Sequence, residues 1–137
     1  MEGNRIFHAK ISEFDEMMSW IREILEEVHC ESSKSKKLEI AIEEALINII
    51  HYAYDHPPGL VEISFYYPKN MNKIHFTFKD QGKPFNPIKE AKRVDQTAPI
   101  HKRNIGGLGL HLIQNLSDKV EYERVNDSNI LKIVCSI

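Results

Sequence analysis

The apolar positions change period several times along the chain, and each change marks an element. "RIFHAKI" (Arg5–Ile11) alternates, with Phe7, Ala9 and Ile11 on one side, the period-two pattern of a half-buried strand. "SEFDEMMSWIREILEEVHC" follows, with Phe14, Met17, Met18, Ile21, Leu25 and Val28 in one stripe at helical spacing and Trp20 off it. Ser12 stands where an N-cap belongs, with Asp15 three residues on, a variant of the capping box. "ESSKSKK" reads as a polar connector. A second helix runs from about Lys36 to Tyr54, stopped by the prolines and glycine of "DHPPGL".

Two alternating segments come next. "VEISFYY" and "KIHFTFKD", joined by "PKNMN", read as a hairpin with Val61, Ile63, Phe65, Ile74, Phe76 and Phe78 on its buried face. "NPIKEAKRV" reads as a short helix, and "DQTAPIHKRN" as a loop without pattern. "NIGGLGLHLIQNL" is a glycine-rich turn opening a helix to about Leu116. "KVEYERV" and "ILKIVCSI" form a last hairpin around "NDSN". Strands in hairpins and helices in a separate group predict an α+β fold with helices on one sheet face. The other face (Glu62, Ser64, His75, Thr77, Lys79) is polar and meets water or a partner.

Composition narrows the class. A chain of 137 residues without internal repeats fits one domain spanning residues 1–137, large enough for a core without disulfides. The net charge of −2 supplies no basic field for nucleic acid. The N-terminus has no apolar signal core, and no apolar run approaches the roughly 20 residues that cross a bilayer. The expectation is a soluble, cytoplasmic protein with no direct nucleic-acid or membrane partner. Cys30 and Cys135 lie far apart, outside any CxxC pattern, and read as buried or incidental thiols.

Candidate chemistry gathers in three places. On the second helix, Leu38, Ala41, Ile42, Ala45, Ile49 and Tyr52 share one face, while Ile40 and Ile47 lie opposite. Between them Glu44, Asn48 and His51 form a polar line at spacings of four and three. Two readings are open: a polar stripe bonded internally, or a site. In a site, partial burial suits Glu44 to act as a general base. The carbonyl oxygen of Asn48 is a hard, neutral ligand for Mg²⁺, with phosphates and water filling its other positions.

In "FKDQGKPFNP", Asp80 ends a central strand and Gly82 permits a close backbone turn. This is either a turn built of turn-formers or a place where Asp80 accepts a hydrogen bond from a ligand amino group, with Gly82 leaving room for a flat ring. The third place is the helix entrance at Gly106, Gly107 and Gly109. Glycine there lowers helix propensity by roughly 1 kcal/mol per position, and free backbone amides at such an entrance suit phosphate. The pattern is neither a P-loop nor a dinucleotide GxGxxG.

Taken together, E-x-x-x-N on a helix, D-x-G-x-P-F after a strand and G-G-x-G-L opening a helix resemble the GHKL ATP-binding domain of histidine kinases, gyrase B, Hsp90 and MutL. "EEALINIIHYAY", "DQGKPFNP" and "GGLGLHLI" resemble most the anti-sigma factor serine/threonine kinases of the RsbW and SpoIIAB type, across nearly the whole chain. The resemblance implies the Bergerat fold, a two-layer sandwich of a mixed β-sheet covered on one face by helices. It also implies roles: Glu44 activating the acceptor hydroxyl, Asn48 binding Mg²⁺, Asp80 bonding the adenine amino group with Gly82 beside the ring, and Gly106, Gly107, Leu108 and Gly109 at the phosphates.

Residues from about Val94 to Ile105 would form the ATP lid, with Lys102 and Arg103, or His101, as contacts to the γ-phosphate. The implied activity is ATP-dependent phosphorylation of an anti-anti-sigma (STAS) partner, with control of a sigma factor by partner switching and with homodimerisation. The alternative is a nucleotide-binding module that sequesters a partner without transferring phosphate. The chain departs from the family in having Tyr52 where relatives often carry His. It also has Ser128 and Asn129 where they carry a threonine that helps bind adenine.

Overall fold

The computed structural model describes residues 1–56, 59–88 and 117–137. Strand β1 (Glu2–His8) leads through a 3-10 turn (Ile11–Glu13) into α1 (Phe14–Glu27). Helix α2 (Ser32–Asn48) then passes directly into a π-helical turn (Ile49–Ala53). Strands β2 (Leu60–Tyr66), β3 (Lys73–Asp80), β4 (Lys119–Val125) and β5 (Ser128–Ser136) complete a five-stranded sheet ordered β1-β2-β3-β5-β4.

The expectation of an α+β sandwich holds, with one difference. Among the described residues every strand pairing is antiparallel, where a mixed sheet was expected. The cause is connectivity. Two of the four pairings are hairpins, and α1 and α2 return the chain so that β2 runs back along β1.

The buried face carries the predicted alternation. Val61, Ile63, Phe65, Ile74, Phe76 and Phe78 all lie inside, against Met17, Met18, Ile21 and Leu25 of α1 and Leu38, Ala41, Ile42 and Ala45 of α2. Burying each large side chain contributes about 1.5–3 kcal/mol, so this layer holds the helices to the sheet. Trp20, off the main stripe, packs edge-on against Phe65 at 5.9 Å and tilted against Phe7 at 6.4 Å.

Three boundaries differ from the sequence reading. β1 ends at His8, and the backbone turns through Lys10 N–H donating to the His8 carbonyl. Ala9 therefore stays buried while Ile11 is exposed. Ser12 does not cap α1: the helix starts after Glu13, whose carboxylate instead accepts from the His8 backbone amide at 3.0 Å. The segment read as a polar connector is the first two turns of α2. Its serines and lysines face solvent, and Leu38 is the first side chain of the helix to reach the core, so apolar periodicity had nothing to register there.

The π turn also decides the end of α2. Its wider turn shifts the phase of the helix, so that Ala53 rather than the expected Tyr52 is buried, and Tyr52 is 42% exposed. β5 starts at Ser128 rather than Ile130, because Asn126 and Asp127, both at positive φ, make the whole two-residue turn of the last hairpin.

Candidate functional site

The end of α2, the end of β3 and the start of β5 meet around one pocket with about 400 Å³ of empty space, part of it open to solvent. Ala45, Ile49 and Leu131 supply apolar wall; Asn48, Asp80, Tyr122 and Asn129 supply polar groups. The combination of apolar wall and a few convergent polar groups is that of a small-molecule site.

Asn48 is 5% exposed, and its Nδ2 has no hydrogen-bond partner among the described residues. Leaving a buried amide nitrogen unpaired costs on the order of 1–3 kcal/mol, so this atom calls for a partner beyond the described residues. The rest of the helical line divides. Glu44, one turn earlier, is half-buried, and burial first and the Glu43 carboxylate second push its pKa up. His51 falls in the π turn and is exposed, so the expected three-residue line ends at Asn48.

Asp80 is 5% exposed at the last position of β3, the middle strand of the sheet. Its Oδ1 accepts from the Gly82 backbone amide and from Asn129 Nδ2, each at 2.9 Å. Burial raises its pKa; the bonds from Asn129 and Gly82 and the charge of Arg124 oppose that rise. Arg124 also donates to the Gly82 carbonyl at 2.8 Å, which ties the turn after β3 to β4.

The space beside Gly82 is filled from within. A Cβ at position 82 would lie 2.1 Å from the Ala53 carbonyl oxygen, so among the described residues the glycine makes room for the end of the π turn. The Tyr54 hydroxyl braces the same corner, accepting from Gln81 N–H at 2.8 Å and donating to the Leu60 carbonyl at 2.5 Å.

The structure thus brings Asn48 and Asp80 to one pocket and sets Glu44 one helical turn away from Asn48. Gly106, Gly107, Leu108, Gly109, Lys102 and Arg103 lie outside the described residues, as do the expected lid and the helix to Leu116. Tyr122 and Arg124 escaped the sequence reading, and Asn129 was noted there beside Ser128 only as standing where relatives carry an adenine-binding threonine, not as a buried residue bonded to Asp80. A signal for Asn129 existed: with Leu131, Ile133 and Cys135 it continues the inward alternation of β5, so a polar residue at that place had to be buried.

The chain belongs to the histidine kinase-like ATPase domain family, which it matches over residues 7–135. It is 34% identical over 95 residues to the serine-protein kinase RsbW of Halalkalibacterium halodurans, covering 69% of this chain and 57% of that protein. It is 28% identical over 101 residues to the anti-sigma F factor of Anoxybacillus flavithermus, covering 72% of this chain and 66% of that protein. The chain therefore spans between about half and two thirds of the length of these curated relatives.

Among solved structures it resembles the RsbU and RsbW domains of Rv1364c from Mycobacterium tuberculosis. The TM-score is 0.69 at 14% identity, over 99% of this chain and 32% of that one. It also resembles the SiaB–SiaC complex from Pseudomonas aeruginosa, with a TM-score of 0.58 at 15% identity, over 97% of this chain and 89% of that one. These two likenesses establish the fold. Among the described residues no helix is long and apolar enough to cross a membrane.

Proposed function

We propose that this chain is a single ATP-binding domain that transfers the γ-phosphoryl group of ATP to a serine or threonine of a STAS-domain anti-anti-sigma partner, and so regulates a sigma factor by partner switching. One observation carries the reading: Asn48, whose buried Nδ2 has no partner among the described residues, and Asp80, a buried carboxylate, line the same pocket. The names of the relatives, a serine-protein kinase and an anti-sigma factor, support the class of reaction.

The residues present fit ATP with Mg²⁺. The Asn48 side chain offers a hard amide oxygen on a rigid helix, and Mg²⁺ bound there would neutralise charge on the phosphates. Asp80 would accept a hydrogen bond from the amino group of the base. Gly106, Gly107, Leu108 and Gly109 would present backbone amides to the phosphates, and Lys102 and Arg103 would reach the terminal one. Glu44, held basic by partial burial, orients the acceptor hydroxyl and takes its proton. Two such domains associate as a homodimer.

Calorimetric titration with Mg-ATP, followed by incubation with γ-labelled ATP and purified STAS-domain proteins, tests the reading. Saturable binding and label on a partner serine or threonine are expected. Binding without transfer to any such protein would favour a module that sequesters its partner under nucleotide control. No binding at all would remove the reading.

A further inference from the structure

The most completely bonded polar side chain at the pocket is one to which the proposed function assigns no role. Asn129 is buried and lies directly across the ladder from Asp80 on one side and from Arg124 on the other. Its Nδ2 donates to Asp80 Oδ1 at 2.9 Å and to the Lys83 carbonyl at 2.8 Å. Its Oδ1 accepts from the Tyr122 hydroxyl at 2.5 Å and from the Phe85 backbone amide at 3.3 Å.

Both amide hydrogens and both oxygen lone pairs are used, so Asn129 has nothing left to offer a ligand. Its orientation is also forced. Turning the amide over would set its oxygen against a carboxylate and a carbonyl, and its nitrogen against two donors. What Asn129 does is hold Asp80. Together with the Gly82 amide at 2.9 Å it occupies Oδ1, which fixes the plane of the carboxylate and leaves Oδ2 as the atom that any further donor must reach.

We propose that Tyr122 and Asn129 form a positioning pair that aims the Asp80 carboxylate at the 6-amino group of a purine, and so sets preference for 6-amino over 6-oxo purine nucleotides. The inference rests on the ATP-binding reading and deepens it. A 6-oxo base would bring an acceptor against an acceptor in a partly dry pocket, a mismatch that neither side can relieve while the carboxylate is held. If the carboxylate is free to turn, the mismatch is softened. Tyr122, on the neighbouring strand β4, keeps the Asn129 oxygen occupied and the amide from rocking. Tyr122 and Asn129 both line the pocket, so the pair sits at the base rather than behind it.

The test compares ATP with inosine triphosphate, which carries the same sugar and phosphates but a 6-oxo group. Both are titrated calorimetrically into the parent, Tyr122→Phe and Asn129→Ser. The parent is expected to prefer ATP. The preference should fall at least roughly fivefold in Asn129→Ser and by less in Tyr122→Phe, through lost ATP affinity with inosine triphosphate affinity unchanged. Tyr122→Phe deletes one hydroxyl and carries the test alone if Asn129→Ser does not fold. Equal losses for both nucleotides would mean a purely structural role and overturn the inference, as would unchanged ratios. A parent that binds both nucleotides equally overturns this inference only; a parent that binds neither removes the ATP-binding reading and the inference with it.

Discussion

The backbone of Gly82 lies directly against the carbonyl of Ala53: a Cβ at position 82 would come within 2.1 Å of that oxygen, and the Lys83 amide donates to the same oxygen at 2.9 Å. The contact fastens the turn after β3 to the last residue of the π turn. Asp80 is two residues before it and Asn48 five residues before Ala53, so the contact sets how far apart the two sides of the pocket stand.

Gly82→Ala is accordingly expected to lower stability by at least about 2 kcal/mol, because the obstruction is backbone and cannot swing aside. Chemical denaturation measures it. A change within a few tenths of a kcal/mol would mean that the turn moves freely against the helix end.

Asn48→Ala separates a ligand-binding role from a structural one. The substitution deletes a buried amide nitrogen that has no partner among the described residues, so lost packing is offset and stability should shift by less than about 1 kcal/mol. Mg-ATP affinity should fall at least about tenfold, equivalent to about 1.4 kcal/mol. Calorimetry and thermal melting on one preparation read both. A large stability loss with unchanged affinity would make Asn48 a structural residue.

Asp80 ties pH to stability. Burial holds its folded pKa above the ordinary aspartate value, so its contribution to stability is complete below the unfolded value of about 3.9 and is lost as pH rises through the raised folded one. Asp80→Asn keeps an acceptor for Gly82 N–H and Asn129 Nδ2 without the charge. Thermal melts should show the variant gaining on the parent as pH rises from about 4 to about 8. ATP binding should disappear. A variant that gains on the parent as pH falls would contradict the assignment.

Glu44 is expected to govern rate rather than affinity. Glu44→Gln should lower phosphotransfer by about a hundredfold to ten-thousandfold while leaving ATP affinity nearly unchanged. In the parent the rate should rise with pH through a pKa above the ordinary glutamate value, since burial and Glu43 both favour the protonated acid and the base form is the active one. Single-turnover assays across pH measure both. A rate in Glu44→Gln equal to that of the parent would remove Glu44 from the chemistry.

Several features were legible because each has a local cause. Alternation in β2 and β3 names every buried apolar side chain of that hairpin, since period two is enforced by the pleat wherever one face is covered. The α1 stripe, the stop of the second helix and the candidate pair of Asn48 and Asp80 could likewise be read from spacing and residue chemistry. A polar first half of a helix leaves no apolar period, so residues 32–37 looked like a connector although they are helical.

Other features have no local cause. The π turn that buries Ala53 in place of Tyr52 depends on what the helix end meets, namely the Gly82 backbone from another element. The four bonds of Asn129 come from β3, β4 and the turn after β3, and exist only because the sheet places β5 between those strands. The sequence alone determined which residues carry chemistry and which faces are apolar, because composition and period act over a few neighbouring positions. Only the tertiary structure decided which polar groups satisfy one another and which buried atom finds no partner among the described residues, because hydrogen bonds between strands depend on register and order that no short stretch contains.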